Sequence, residues 1–166
     1  MGGCAVCAAV FRQAEQMTVV HESVHFTIVV PEHPHVTRSD GGHLIINPKV
    51  PVEDRTKLTR EQALELVKLT MVAGEAMTTV LTRRGIPIGR INYQDNGNWR
   101  HELHVHLYGR SRSATIQPWG TFLQIPPTRD AFNAKMGHLE PLNAEDAGEL
   151  RAEIERLLAT AKYRAF

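Results

Sequence analysis

Polar and apolar residues alternate strictly over residues 102–107, where Glu102, His104 and His106 interleave with Leu103, Val105 and Leu107. A period of two is the signature of a β-strand with one polar and one apolar face. Two imidazoles and a carboxylate are costly on such a strand unless polar groups surround them, so this face reads as the wall of a site. The run follows the turn-rich Asp95-Asn96-Gly97-Asn98 and forms the second arm of a predicted hairpin. Residues 87–94 supply the first arm, on which Asn92 and Gln94 share one face.

The same patterning predicts the other elements. Residues 17–21 and 25–30 are rich in β-branched and aromatic side chains and read as two strands turned at His21-Glu22-Ser23. Pro31-Glu32-His33-Pro34-His35 interrupts regular structure, and His33 and His35 read as solvated loop residues. Gly41-Gly42 open a third apolar strand that Pro48 closes. Thr59 and Gln62 have the spacing of a capping box, and apolar residues recur at helical period from there to about Arg84, with Gly85 as the stop. Residues 111–128 are rich in Ser, Pro and Gly and predict a long loop, anchored by Trp119 and Phe122, that is able to close over a site. Asn143 is an N-cap for a last helix with the stripe Leu150, Ile154, Leu157, Leu158 and Ala161. The expected fold is α+β: an antiparallel sheet with one long helix packed on it and a C-terminal helix over residues 143–163. Residues 1–166 form a single domain in this reading, with 111–142 a loop-rich extension.

Charge narrows the partners. Nineteen Lys and Arg against 18 Asp and Glu leave a formal charge of +1, which gives no electrostatic case for a nucleic-acid polymer or a membrane surface. No apolar run approaches the roughly 18 residues of a membrane span, and the start lacks a secretory pattern. Only Cys4 and Cys7 occur, so a disulfide framework is excluded and a cytoplasmic location is expected. Their C-x-x-C spacing is half a zinc site or a redox pair, against the plainer reading of a packed N-terminus. His43, at the mouth of its strand, reads first as a strand-end residue bonded to backbone.

Three pieces in this order resemble the histidine triad family of nucleotide hydrolases and transferases. Gly42-His43-Leu44-Ile45-Ile46-Asn47-Pro48-Lys49 is similar to that family's G-H-x-L-V-x-P-K strand, and the long helix falls where the family has its main one. Glu102-Leu103-His104-Val105-His106-Leu107-Tyr108 aligns with the family's alternating triad, with Glu102 in place of the first histidine. The C-x-x-C pair also sits where many members carry one. In zinc-containing relatives the metal further uses a histidine after the P-K strand and one at the first triad position. Here Val50 and Pro51 stand at the former and Glu102 at the latter, so the set is incomplete.

The resemblance implies attack on a nucleotide α-phosphorus by His104, forming a nucleotidyl-histidine intermediate, with no metal required. His106 would donate to the leaving group or a phosphate oxygen, and His43 would orient His104. Glu102, if ionised, would favour the imidazolium form of either triad histidine. Asn92 and Gln94 would hold phosphate, although exposed strand positions explain them equally. Phe26 and Ile28 would wall an apolar base pocket. The implied substrates are dinucleoside polyphosphates or nucleoside phosphoramidates, and the implied assembly is a homodimer. Two alternatives stand beside this: a non-catalytic nucleotide-binding or regulatory protein on the same fold, and a zinc protein using Cys4, Cys7 and residues of the 102–106 strand.

Overall fold

A computed structural model of the chain describes residues 17–95, 97 and 100–166. Its elements, in order, are β1 (Thr18–Glu22), β2 (Phe26–Val30), β3 (His43–Pro48), α1 (Arg60–Arg83), β4 (Ile88–Gln94), β5 (Val105–Ser111), α2 (Arg129–Met136), α3 (Ala144–Leu158) and α4 (Ala161–Arg164). The strands form one antiparallel sheet in the order β1-β2-β3-β5-β4, which places β5 between the strand of the His43 motif and its hairpin partner. The architecture is therefore the expected α+β sheet with a long helix and a C-terminal helix.

Alternation sorts the two faces of the sheet. Phe26, Ile28, Leu44, Ile46, Val105 and Leu107 pack into one core with Leu69, Ala73, Met77 and Val80 of α1 and Leu150 and Ile154 of α3. α1 begins with the predicted capping box: Thr59 Oγ1 accepts from Gln62 N–H, and the Gln62 side chain accepts from Thr59 N–H. The opposite face carries His43, Ile45, His106, Tyr108, Asn92 and Gln94, which the strand registers bring side by side. No helix among the described residues is long and apolar enough to cross a membrane.

Several boundaries differ from the sequence reading. β5 begins at Val105, so Glu102, Leu103 and His104 lead into the strand, with Leu103 N–H bound to Val52 O at 2.7 Å. The final helix breaks after Leu158, where Thr160 turns its hydroxyl back onto Leu157 O, and restarts as α4. Residues 111–142 contain α2, capped by the Thr128 hydroxyl and seated through Phe132 and Met136. The long loop is pinned from both sides. Buried Asp40 accepts from the backbone N–H groups of Thr115, Ile116 and Gln117, while buried Arg110 donates to the carbonyls of Gln117, Pro118 and Thr121. Trp119 anchors it against Gly89 and Arg112, but Phe122 is 95% exposed and anchors nothing.

Candidate active site

The site is assembled where β3, β5 and the loop before β3 meet. His43 lies opposite Tyr108 and Ile45 opposite His106, so the two imidazoles meet diagonally across the ladder, His43 Nε2 to His106 Nδ1 at 2.9 Å. The backbone N–H of His35 points at His43 Nδ1 from 3.2 Å. An N–H can only donate, so His43 Nδ1 is the lone pair and its proton sits on Nε2. That proton is given to His106 Nδ1, which leaves His106 carrying its own proton on Nε2.

His104 has the complementary arrangement. Its Nδ1 is 2.7 Å from the carbonyl oxygen of Glu102. A carbonyl only accepts, so the proton is on Nδ1 and the Nε2 lone pair is uncommitted among the described residues. The His104 and His106 rings are edge to face with centroids 4.7 Å apart. One ring thus offers a nucleophilic nitrogen and its neighbour a donor.

Electrostatics hold these rings neutral. Burial is the main cause that pushes His106 down to about 2, with His104, His35 and Arg100 adding to it. Burial likewise lowers His43, which is 1% exposed, and His35, which falls to about 4. For His104 burial again leads; the Glu102 carbonyl and carboxylate oppose it, and the net shift is downward. Glu102 does favour the imidazolium of His104, as expected, but loss of hydration outweighs it. Burial raises Tyr108, so it stays a phenol, and its hydroxyl shares a 2.7 Å hydrogen bond with His35 Nδ1.

These rings open onto a cavity of about 540 Å³, lined also by Ile45, Arg100, Phe132, Arg129 and Glu32. The structure thus brings His43, His104 and His106 together. Glu102 contributes its backbone carbonyl, while its carboxylate sits 3.7 Å from Arg100 Nε. Asn92 and Gln94 lie on the site face but do not line the cavity. Asn92 Oδ1 accepts from Arg110, and the buried Gln94 amide oxygen has no hydrogen-bond partner among the described residues. Phe26 and Ile28 are not walls of the site, because their parity points them into the core against α1. Ile45 and Phe132 take that place. His43 is a member of the cluster rather than a simple strand end.

His35 is the residue that sequence reasoning missed. Far from being solvated, it stacks among His43, His106 and Tyr108 and meets Phe132 edge on. Its partner Tyr108 is 73 positions away, so no local signal marks it. The donor nitrogens of His35, His43 and His106 lie within 4.8 Å of one another, and this trio could hold a metal ion. Of the ligands expected for zinc it includes His106, while Cys4 and Cys7 lie outside the described residues.

With this geometry in view, the fold is that of the histidine triad proteins. A hypothetical histidine triad nucleotide-binding protein from Sulfolobus tokodaii superposes with a TM-score of 0.61 at 16% identity, over 93% of this chain and 94% of that one. A zinc-bound histidine triad family protein from Mycobacterium smegmatis gives 0.57 at 19%, over 93% and 95%. A uridylyltransferase mutant gives 0.56 at 21%, over 95% of this chain and 48% of that one. No protein-family model matches the sequence, and no curated protein matches it.

Proposed function

We propose that this chain is a nucleotidyl hydrolase or transferase that acts at the α-phosphate of dinucleoside polyphosphates or nucleoside phosphoramidates through a nucleotidyl–His104 intermediate. The observation that carries the reading is the proton placement on His104. With Nδ1–H held by the Glu102 carbonyl, Nε2 is an unprotonated nucleophile at neutral pH. When Nε2 bonds to phosphorus and the bond to the leaving group breaks, the ring becomes cationic at Nδ1–H, and the same carbonyl stabilises that charge. His106, its Nδ1 occupied by His43, offers Nε2–H to a phosphate or leaving oxygen. Water then attacks phosphorus, the N–P electron pair returns to Nε2, the proton lost by the water passes to solvent, and His104 is restored.

The cavity suits such a ligand. Glu32, the carboxylate among its described lining residues, is the group able to accept both hydroxyls of a ribose, while Ile45 and Phe132 offer apolar surface to a base. The homodimer belongs to the same proposal, supported by the sheet-edge position of β4 and the exposed Leu64, Val67 and Met71 on α1. Light scattering on the purified protein tests it. A metal-binding second reading rests on the three-histidine trio, but a metal there would have to break the His43–His106 bond.

The test is mass spectrometry of enzyme quenched in base during turnover of adenosine and guanosine phosphoramidates and dinucleoside polyphosphates. A nucleotidyl adduct on His104, absent in His104→Ala, is the expected result. No adduct, together with parental turnover in His104→Ala, would refute the proposal.

A further inference from the structure

Glu102 stands where the resemblance places a histidine, and its carboxylate has no role in the steps above. Its Oε2 and Arg100 Nε face each other at 3.7 Å, too far for a hydrogen bond. Both atoms are buried, and neither has a hydrogen-bond partner among the described residues. A charged pair left in that state is costly, and the part-exposed Arg100 side chain lines the cavity, where an entering oxyanion could meet the rest of its guanidinium. Arg100 lines the cavity beside His104 and His106, close enough that its charge contributes to keeping both neutral. Arg129, exposed at the first position of α2, lines the same cavity.

We propose that Arg100 and Arg129 form a second anion subsite, with Glu102 positioning Arg100, and that it takes the terminal phosphates of a nucleoside polyphosphate leaving group. This rests on the proposed function and deepens it by choosing between the two substrate classes. An amine leaving from a phosphoramidate must gain a proton, and the buried neutral His106 is a hydrogen-bond donor but a poor acid. A phosphate needs none. As the His104 Nε2–P bond forms and the bridging P–O bond breaks, the electron pair leaves with the bridging oxygen as an oxyanion. That growing charge needs cations, and two guanidiniums are the groups suited to supply them.

Calorimetric titration of the full chain with AMP, ADP and inorganic pyrophosphate tests the subsite. ADP should bind about tenfold to a hundredfold more tightly than AMP, the worth of one or two charge-assisted hydrogen bonds. Arg100→Gln should bring that ratio to within about threefold, Arg100→Lys should keep part of it, and Glu102→Gln should lower it by freeing Arg100. Equal affinity for AMP and ADP in the parent protein overturns the subsite without any variant. So does a ratio that survives Arg100→Gln. AMP binding and a His104 adduct without a preference for ADP would leave the proposed function standing and remove only the subsite. Arg100-dependent binding of pyrophosphate without AMP binding would keep the subsite and remove the nucleotide reading. No binding at all would remove both.

Discussion

His43 never touches the reacting atom in the proposed chemistry, yet the structure assigns it two separable tasks. Its Nδ1 accepts the His35 N–H at 3.2 Å and its Nε2–H sets the tautomer of His106 at 2.9 Å. His43→Ala removes one partner each from the part-buried His35 N–H and the buried His106 Nδ1. At about 1–3 kcal/mol for each, the expected loss is about 2–6 kcal/mol, before the void left by the ring is counted. That is a large share of the roughly 5–15 kcal/mol that holds a domain folded. Two variants divide the tasks. His43→Asn places an acceptor near the Nδ1 position and should recover about half of that loss, but it leaves His106 free to carry its proton on either nitrogen. His43→Gln places a donor near the Nε2 position and should recover a similar share while keeping more turnover. Urea unfolding, turnover of a fluorogenic dinucleoside polyphosphate and the nitrogen shifts of the His106 ring read the three quantities. If the Asn and Gln variants match each other in rate, or if the His106 tautomer is unchanged in His43→Ala, the assigned proton order is wrong.

Acidification should destabilise the protein earlier than carboxylate titration can explain. His35, His43, His104 and His106 all lie below the ordinary histidine value of 6.5, so the unfolded chain binds protons that the folded chain refuses. Stability is whole above about pH 6.5 and falls from there toward about pH 4, by about 1.4 kcal/mol per pH unit for each such group. A urea midpoint that stays level from pH 7.5 to 5 would contradict this. Activity should survive a strong chelator, because the attacking group is a side chain; loss of activity with release of stoichiometric zinc, and recovery on its return, would instead assign a metal. Asp40→Ala removes the shared acceptor of three backbone N–H groups and should cost about 3 kcal/mol in unfolding experiments, with early proteolytic cleavage near Thr115; parental stability would show that the loop is held elsewhere.

Local patterns were legible and distant ones were not. α1 could be read because its capping box and apolar period are properties of neighbouring residues, and the faces of β5 followed from alternation alone. Parity does not say which face meets the site, however. Phe26 and Ile28 were placed on the wrong side of β2, since only pairing with Pro48 and Ile46 of β3 turns them toward α1. α2 was missed because its seat is two side chains, Phe132 and Met136, too few to make a period in a segment full of turn formers. His35 sits in a proline-rich stretch that resembles solvated loop, and only the fold brings Tyr108 to it. The pinning of the 113–124 loop was equally hidden. It depends on Asp40 and Arg110, two buried charges bonded to backbone groups that no residue type announces.

Why the imidazoles converge between β3 and β5, and not at another strand pair, is a question of backbone distance. The chain entering β3 lies directly on β5: a Cβ added at Gly109 would come within 2.0 Å of the Gly41 carbonyl oxygen, and one at Gly41 within 2.3 Å of the Gly109 oxygen. Gly41 also takes φ 129°, and Gly42 φ 73°, which side-chain-bearing residues rarely adopt. Only glycine meets both demands at position 41. The contact holds Gly42 O against Gly109 N–H at 3.1 Å and starts the ladder with His43 opposite Tyr108. From that register the rest follows. The alternation of β5 then puts His106 one step along on the same face, diagonal to His43, and the loop that ends in Gly41 carries His35 over both. The histidines supply the chemistry, but it is the pair of residues without side chains that lets their nitrogens approach to 2.9 Å.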